Sequence, residues 1–271
     1  MLAYVPHCGQ NGGVSAPAHR VDLNADVGES AGAVRYGDDE GVMPFITSAN
    51  IACGFHAGDP GVMRATVALA RAHGVAVGAH PGFQDVAGFG RRELAVSPQE
   101  VEDLVAYQVG ALAGIAAAQG APLTHVKPHG ALYNMAARDR TLADAIVRGV
   151  RAVDRGLVVF GLSGSALVAA AVAAGQPAAF EAFSDRGYLA NGALAPRETT
   201  GAVISDAELV ARRAIAMVLD QHVVSLDGSS IPLRVDTLCV HSDTPGAGLL
   251  AAAVRRALEA AGVAVAAAAG A

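Results

Sequence analysis

The only lysine of this chain, Lys127, stands between two histidines in His125-Val126-Lys127-Pro128-His129-Gly130, although lysine and arginine together number 19. An ammonium is a compact, strongly hydrated point charge with a shiftable pKa, and a planar, permanently charged guanidinium cannot imitate it. Composition offers a competing account. Arginine replaces lysine nearly everywhere in an alanine-rich chain, and one lysine could survive by drift. Its place between two imidazoles favours a catalytic point charge.

Other residues share that character. Asp22-Leu23-Asn24-Ala25-Asp26 alternates as an extended strand does, so Asp22, Asn24 and Asp26 share one face and Leu23 and Ala25 the other. Buried carboxylates need partners, which leaves either a functional site or an internally satisfied hydrogen-bond network. In Ser48-Ala49-Asn50-Ile51-Ala52-Cys53-Gly54-Phe55-His56-Ala57-Gly58-Asp59-Pro60, small residues let a ligand approach His56, a candidate base. Asp59 is either a site residue or the cap of a helix starting at Pro60. Cys53, among alanine and glycine, reads as packing more readily than as a nucleophile.

His80 precedes Pro81-Gly82 and His129 precedes Gly130, which puts both rings at sharp turns. Asp26, His80 and His129, with His241 or Asp243, could form an N/O metal site, but no compact ligand spacing appears and a metal is not established. Arg91 and Arg92 follow Gly88-Phe89-Gly90, as an anion-recognising pair or as solvated surface charge. Gly161-Leu162-Ser163-Gly164-Ser165 and Asp243-Thr244-Pro245-Gly246-Ala247-Gly248 read as strand-to-helix turns ahead of phosphate sites. His7, His19, His73 and His222 read as surface or tail residues.

These residues need a frame. Short apolar runs at Val21–Leu23, Ala49–Cys53, Val75–Ala79, Leu123–Val126, Leu157–Leu162, Ala179–Phe183 and Thr237–Val240 predict seven strands, with a further short one at Val263–Val265. Helical patterns at Gly61–Ala72, Pro98–Gln119, Leu142–Val153, Ser165–Ala174, Asp206–Leu219 and Ala247–Ala261 lie between them, and the βα alternation predicts a parallel sheet. Polar groups follow the C-terminal ends of at least five strands. A closed barrel gathers such ends at one mouth, whereas an open sheet gathers only those beside its switch point. The expectation is therefore an α/β fold, one (β/α) barrel domain over residues 21–271 after a loose extension over residues 1–20. Asp185–Ile204, with no strong periodicity, is expected as a lid or binding segment, and Ala266–Ala271 as packing filler or a frayed tail.

Composition excludes several partners. A net charge of −6 with scattered arginines leaves no basic field for nucleic acid. No run of about 18 uncharged apolar residues predicts a membrane span. Residues 1–20 lack the basic start and apolar centre of a secretory signal, and three separated cysteines suit a reducing compartment, so the cytoplasm is expected. Aromatic content of 4% without tryptophan favours a small substrate over a polymer.

Taken together, Asp22-Leu23-Asn24-Ala25-Asp26-Val27-Gly28-Glu29-Ser30, Thr47 through Pro60, Gly78-Ala79-His80-Pro81-Gly82, Gly88-Phe89-Gly90-Arg91-Arg92 and His125 through Asn134 resemble the LamB/YcsF family. The resemblance runs from about Val21 to the end. It departs at His241-Ser242-Asp243, where the family usually has His-Gly-Asp. It implies a distorted seven-stranded barrel similar to glycoside hydrolase and deacetylase barrels. It also implies an activity, that of the A subunit of an ATP-dependent 5-oxoprolinase. With separate subunits B and C, such a protein turns 5-oxo-L-proline, ATP and water into L-glutamate, ADP and phosphate. On that reading Asp26 or His129 positions or deprotonates water, Lys127 stabilises oxyanion or phosphate charge, and Asn24, Asn50, His56 and His80 hold the ring. Arg91 takes the substrate carboxylate, and Asp59 joins the binding set unless it caps its helix. Two other readings stand beside it: a metal-dependent deacetylase-like amide hydrolase, and a non-catalytic subunit that delivers 5-oxoproline.

Overall fold

The computed structural model describes residues 19–30, 37–242 and 246–268. In chain order its elements are β1 (His19–Val27), α1 (Asp39–Val42), β2 (Ser48–Ala52), α2 (Pro60–Ala72), β3 (Ala76–His80), α3 (Pro98–Ala117) and β4 (Leu123–Val126). They continue with α4 (Gly130–Arg138), α5 (Arg140–Val153), β5 (Val158–Leu162), α6 (Ala166–Ala173), β6 (Ala178–Phe183) and α7 (Ala207–Ile215). Then come β7 (His222–Val224), β8 (Ser230–Pro232), β9 (Thr237–Cys239), α8 (Ala247–Ala260) and β10 (Val263–Val265).

Seven parallel strands, ordered β1-β2-β3-β4-β5-β6-β9, close into a barrel through the pairing of β9 with β1, and the whole is a single domain. The seven predicted runs are these seven strands. Closure is shared on one edge of β1: Asp22–Asn24 pair with β9, while His19–Val21 pair with β10. Strand pairing thus begins at His19, inside the expected extension, and His19 is a strand residue. Cys8 and His7, like Asp243, lie outside the described residues.

Alternation sorts the strand side chains. Leu23, Ala25 and Val27 join Ala49, Ile51, Val77, Ala79, Val126 and Val159 in the core between barrel and helices. The opposite parity places Asp22, Asn24, Asp26, Asn50, His125 and Glu181 inside, all buried. The helices start where local chemistry dictates. Asp59 accepts from the amides of Gly61 and Val62 ahead of Pro60, and Ser97 forms a capping box with Glu100 ahead of Pro98.

Helices α1 and α4 and the stretch after α7 depart from the expected pattern, whereas the segment 185–204 is irregular as expected. α4 has no side-chain cap at His129 and opens on a glycine, so its start carries no sequence signal, yet it buries Ala131, Leu132, Tyr133 and Ala136. Helix α7 ends in a π-helical turn over Ala216–Asp220 that leads through left-handed Gln221 into the β7–β8 hairpin. The segment 185–204 carries turns and two isolated bridges, Arg186 with Val203 and Tyr188 with Leu194. Among the described residues no helix is long and apolar enough to cross a membrane.

Candidate functional site

The barrel interior is polar in layers. At the bottom, the Asp22 carboxylate accepts from Thr47, Ser48 and Thr237 hydroxyls at 2.6, 2.7 and 2.5 Å. Burial pushes its pKa up, and all its partners are neutral donors, so Asp22 belongs to a structural network.

In the middle layer, Asn50 Nδ2 donates to Asn24 Oδ1 at 2.7 Å and to Asp26 Oδ1 at 2.8 Å. Asn24 Nδ2 donates to Thr237 Oγ1 at 2.7 Å and to Glu181 Oε1 at 3.0 Å. His125 Nε2 lies 2.9 Å from Asn50 Oδ1, and burial lowers this imidazole to about 3, which makes it a neutral donor to the amide oxygen. Gly78 makes room for it, since a Cβ there would collide with the His125 ring.

The upper layer holds the charge. Lys127 Nζ lies 2.8 Å from Asp26 Oδ1, 3.0 Å from Glu181 Oε1, 3.2 Å from Asn24 Oδ1 and 3.0 Å from Cys239 Sγ. Burial opposes its charge, but Asp26 and the other neighbouring acidic groups outweigh that and hold its pKa well above the ordinary value. Burial likewise opposes ionisation of Asp26, and the charges of His80 and Lys127 win, keeping the carboxyl well below its usual range. Glu181, already held through Oε1 by Asn24 and Lys127, accepts a third bond at Oε2 from the Tyr133 hydroxyl at 2.7 Å.

Beside this pair lies a ring of imidazoles. Glu29 Oε1 is 3.1 Å from His129 Nδ1, 3.2 Å from His56 Nε2 and 3.7 Å from His80 Nε2. His80 Nε2 lies 3.0 Å from His129 Nδ1 and 3.4 Å from Asp26 Oδ2. The outer nitrogens of two rings meet backbone carbonyls, His80 Nδ1 that of Lys127 at 2.7 Å and His129 Nε2 that of Phe89 at 2.8 Å. His56 stacks on His129 at 3.8 Å, and burial followed by the charge of His129 lowers it to about 3. Burial would raise Glu29, but its bonds to His129 and His56 bring it far below the ordinary carboxylate range. Two glycines leave space for the stack: a Cβ on Gly82 would meet His56 Nδ1 at 2.6 Å, and one on Gly90 would meet His56 Cβ at 2.8 Å and His129 Cδ2 at 2.9 Å. Gly90 and the preceding Phe89 are both left-handed, with φ of 63° and 53°.

Above lies a cavity of about 690 Å³, within the usual range for small-molecule sites. Asp26, Glu29, His80, Lys127 and His129 reach it, and Arg91, Arg186 and Arg197 stand around it with the 191–198 loop. The segment expected as a lid or binding loop therefore does line the cavity. Arg186 is fixed by carbonyls of Ala195 and Ala202, and Arg91 lies over the Phe89 ring at 4.8 Å.

Of the sequence-predicted residues, Asp26, His80, Lys127, His129 and Arg91 converge on the cavity. Asn24, Asn50 and His56 are buried behind the residues that line it. Asp59 is exposed at the α2 terminus and its carboxylate is spent on amides, so capping is its role. The Lys127 ammonium has three protons and four partners, Asp26, Glu181, Asn24 and Cys239, which fix it beside Asp26. Both nitrogens of His129 lie within hydrogen-bonding distance of neighbours, Nδ1 near Glu29 and His80 and Nε2 at the Phe89 carbonyl. Arg92 pairs with Asp85 and only Arg91 of the two reaches the cavity. Of the candidate N/O metal set, Asp26, His80 and His129 come together, while Asp26 Oδ1 also pairs with Lys127 and His241 Nδ1 lies 2.7 Å from Asp185 Oδ2. Ser242, at the departure from the family pattern, donates to the Asp26 carbonyl at 2.5 Å. Glu29, Tyr133 and Glu181 were missed. Glu181 is the one acidic residue in an otherwise apolar strand, and Glu29 and Tyr133 lie inside the motifs that carry the family resemblance.

The family model described as LamB/YcsF matches residues 21–271. The chain is 57% identical over 248 residues to a Bordetella pertussis protein named as the A subunit of 5-oxoprolinase, covering 92% of this chain and 98% of that one. A protein of the same name from Syntrophobacter fumaroxidans is 54% identical over 246 residues, covering 91% and 97%. The crystal structure of a lactam utilization protein from Thermus thermophilus superposes with a TM-score of 0.86 at 54% identity, covering 91% of this chain and 99% of that one.

Proposed function

The chain belongs to the LamB/YcsF family, and from that premise we propose that it is the A subunit of a cytoplasmic, ATP-dependent 5-oxoprolinase working with partner subunits B and C. The relatives' names supply the substrate class, and the cavity supplies a reason for the division of labour. A five-membered lactam is a poor electrophile because of amide resonance. Phosphoryl transfer from ATP to the lactam oxygen creates an imidate that water can attack at the ring carbon. Cleavage of the carbon–nitrogen bond then leaves an acyl phosphate, and a second water releases phosphate and L-glutamate.

The observation that carries this reading is the Asp26–Lys127–Glu181 group at the cavity floor. Lys127 and Asn50 occupy Asp26 Oδ1, which leaves Oδ2 as the oxygen toward His80 and the cavity. A carboxylate kept ionised there accepts a hydrogen bond from water and orients it for attack. Lys127 works through Asp26, and its fixed charge also favours negative charge developing on the substrate. In this reading Arg91, which lines the cavity, takes the substrate carboxylate. A delivery-only subunit has no need of a buried ammonium locked between two carboxylates, since burying them costs several kcal/mol. The test is glutamate formation from 5-oxoproline and ATP by subunits B and C, with this chain present or omitted. Production only when it is present supports the proposal; equal production without it rejects it.

A further inference from the structure

We propose that Glu29, His56, His80 and His129 form a binding site for one divalent transition-metal ion of the zinc class, held by Glu29 Oε1, His56 Nε2, His80 Nε2 and His129 Nδ1. All four residues are buried, and these atoms lie within 4.8 Å of one another. Zinc bound tetrahedrally at about 2.0–2.1 Å separates its ligand atoms by about 3.3 Å. The separations here are 3.0, 3.1, 3.2 and 3.7 Å for four of the six edges. Three imidazoles and one carboxylate are donors that suit zinc over magnesium or calcium, which favour oxygen.

The surroundings agree with that use. A metal-binding histidine ordinarily donates its other ring N–H to a carbonyl or carboxylate, which fixes the tautomer and aims the lone pair inward. His80 and His129 both do so, to the carbonyls of Lys127 and Phe89. The absence of a Cβ at Gly82 and Gly90 permits the close ring packing that brings His56 and His129 together. A second group, Asp26, Cys239 and His241, also clusters. There the Lys127 ammonium already sits 2.8 Å from Asp26 and 3.0 Å from Cys239 Sγ, so a cation would meet a cation. In the first group the donor atoms face one another and no ammonium or guanidinium is hydrogen-bonded to Glu29 among the described residues. Four protein donors make a closed, structural type of site, one edge of which faces the cavity next to Asp26 Oδ2.

The inference stands on the side chains and does not rest on the 5-oxoprolinase reading, and its test uses no turnover. The full chain, its Glu29→Gln and His129→Asn variants and a Cys239→Ser control are loaded with Zn2+, dialysed and analysed for metal. Folding is checked by circular dichroism. About one zinc per chain in wild type and Cys239→Ser, with a fall to near background in folded Glu29→Gln and His129→Asn, is the expected result. Wild type loaded with Co2+ supplies a measurement independent of variant folding. The proposal expects the intense visible bands of a tetrahedral nitrogen/oxygen site. Wild type without zinc above background, retention of zinc by the folded ligand variants, or a cobalt–thiolate charge-transfer band would each overturn it.

Discussion

On the β1–β4–β6 side of the cavity floor, buried charge is balanced by a fixed ion pair, with Lys127 between Asp26 and Glu181 and amides of Asn24 and Asn50 around them. On the side formed by the segments after β1 to β4, a single carboxylate, Glu29, is surrounded by three imidazoles. The first arrangement has one protonation pattern, because both lysine and Asp26 are pushed toward their charged forms. The second is built from lone pairs that can take a proton or an ion. Permanent charge orients; the imidazole side can change occupant. Asp26 Oδ2 lies where the two meet.

Variants separate the two sides. Lys127→Met leaves Asp26 and Glu181 buried without their cation, and chemical denaturation should show a loss of about 3–5 kcal/mol. Adding Glu181→Gln should recover part of it, because the two residues interact directly. Tyr133→Phe removes one charge-assisted bond to Glu181 and should cost about 1.5–3 kcal/mol in the same measurement. On the imidazole side, Gly82→Ala drives a methyl into His56 and should cost about 1–3 kcal/mol by thermal melting. At the periphery, Asp59→Ala should cost about 1 kcal/mol, as a helix cap does, without slowing glutamate formation.

A pH prediction concerns Asp185. Burial would raise its pKa, but the charge and hydrogen bond of His241 outweigh that and lower it. A depressed acid contributes stability that is complete above its unfolded value, about 3.9, and is lost as pH falls through the folded value. Acid unfolding of Asp185→Asn should therefore depend less steeply on pH in that window than unfolding of the wild type.

The barrel was legible because its strands are short apolar runs whose polar residues follow at their C-terminal ends, and this pattern survives without knowledge of contacts. Lys127, Asp26, His80 and His129 were legible for the same reason. Their partners were not. Glu181 sits inside the run Ala179–Phe183, where parity alone aims it inward, and Tyr133 lies on a helix whose start has no capping signal. Glu29 follows β1 in an irregular stretch, so only folding brings it against histidines 27, 51 and 100 positions away. Asp59 shows the reverse case: Asp before Pro at a helix start was a complete local explanation, and the cap is what formed.

The most direct measurement is glutamate formation by the three-subunit system assembled with Lys127→Met, compared at saturating 5-oxoproline and ATP with the same system carrying wild-type chain. With assembly intact, a fall in kcat of at least ~100-fold is expected from loss of the fixed charge that orients Asp26. An unchanged kcat would contradict a catalytic role for this cavity floor and leave the chain as a carrier of substrate.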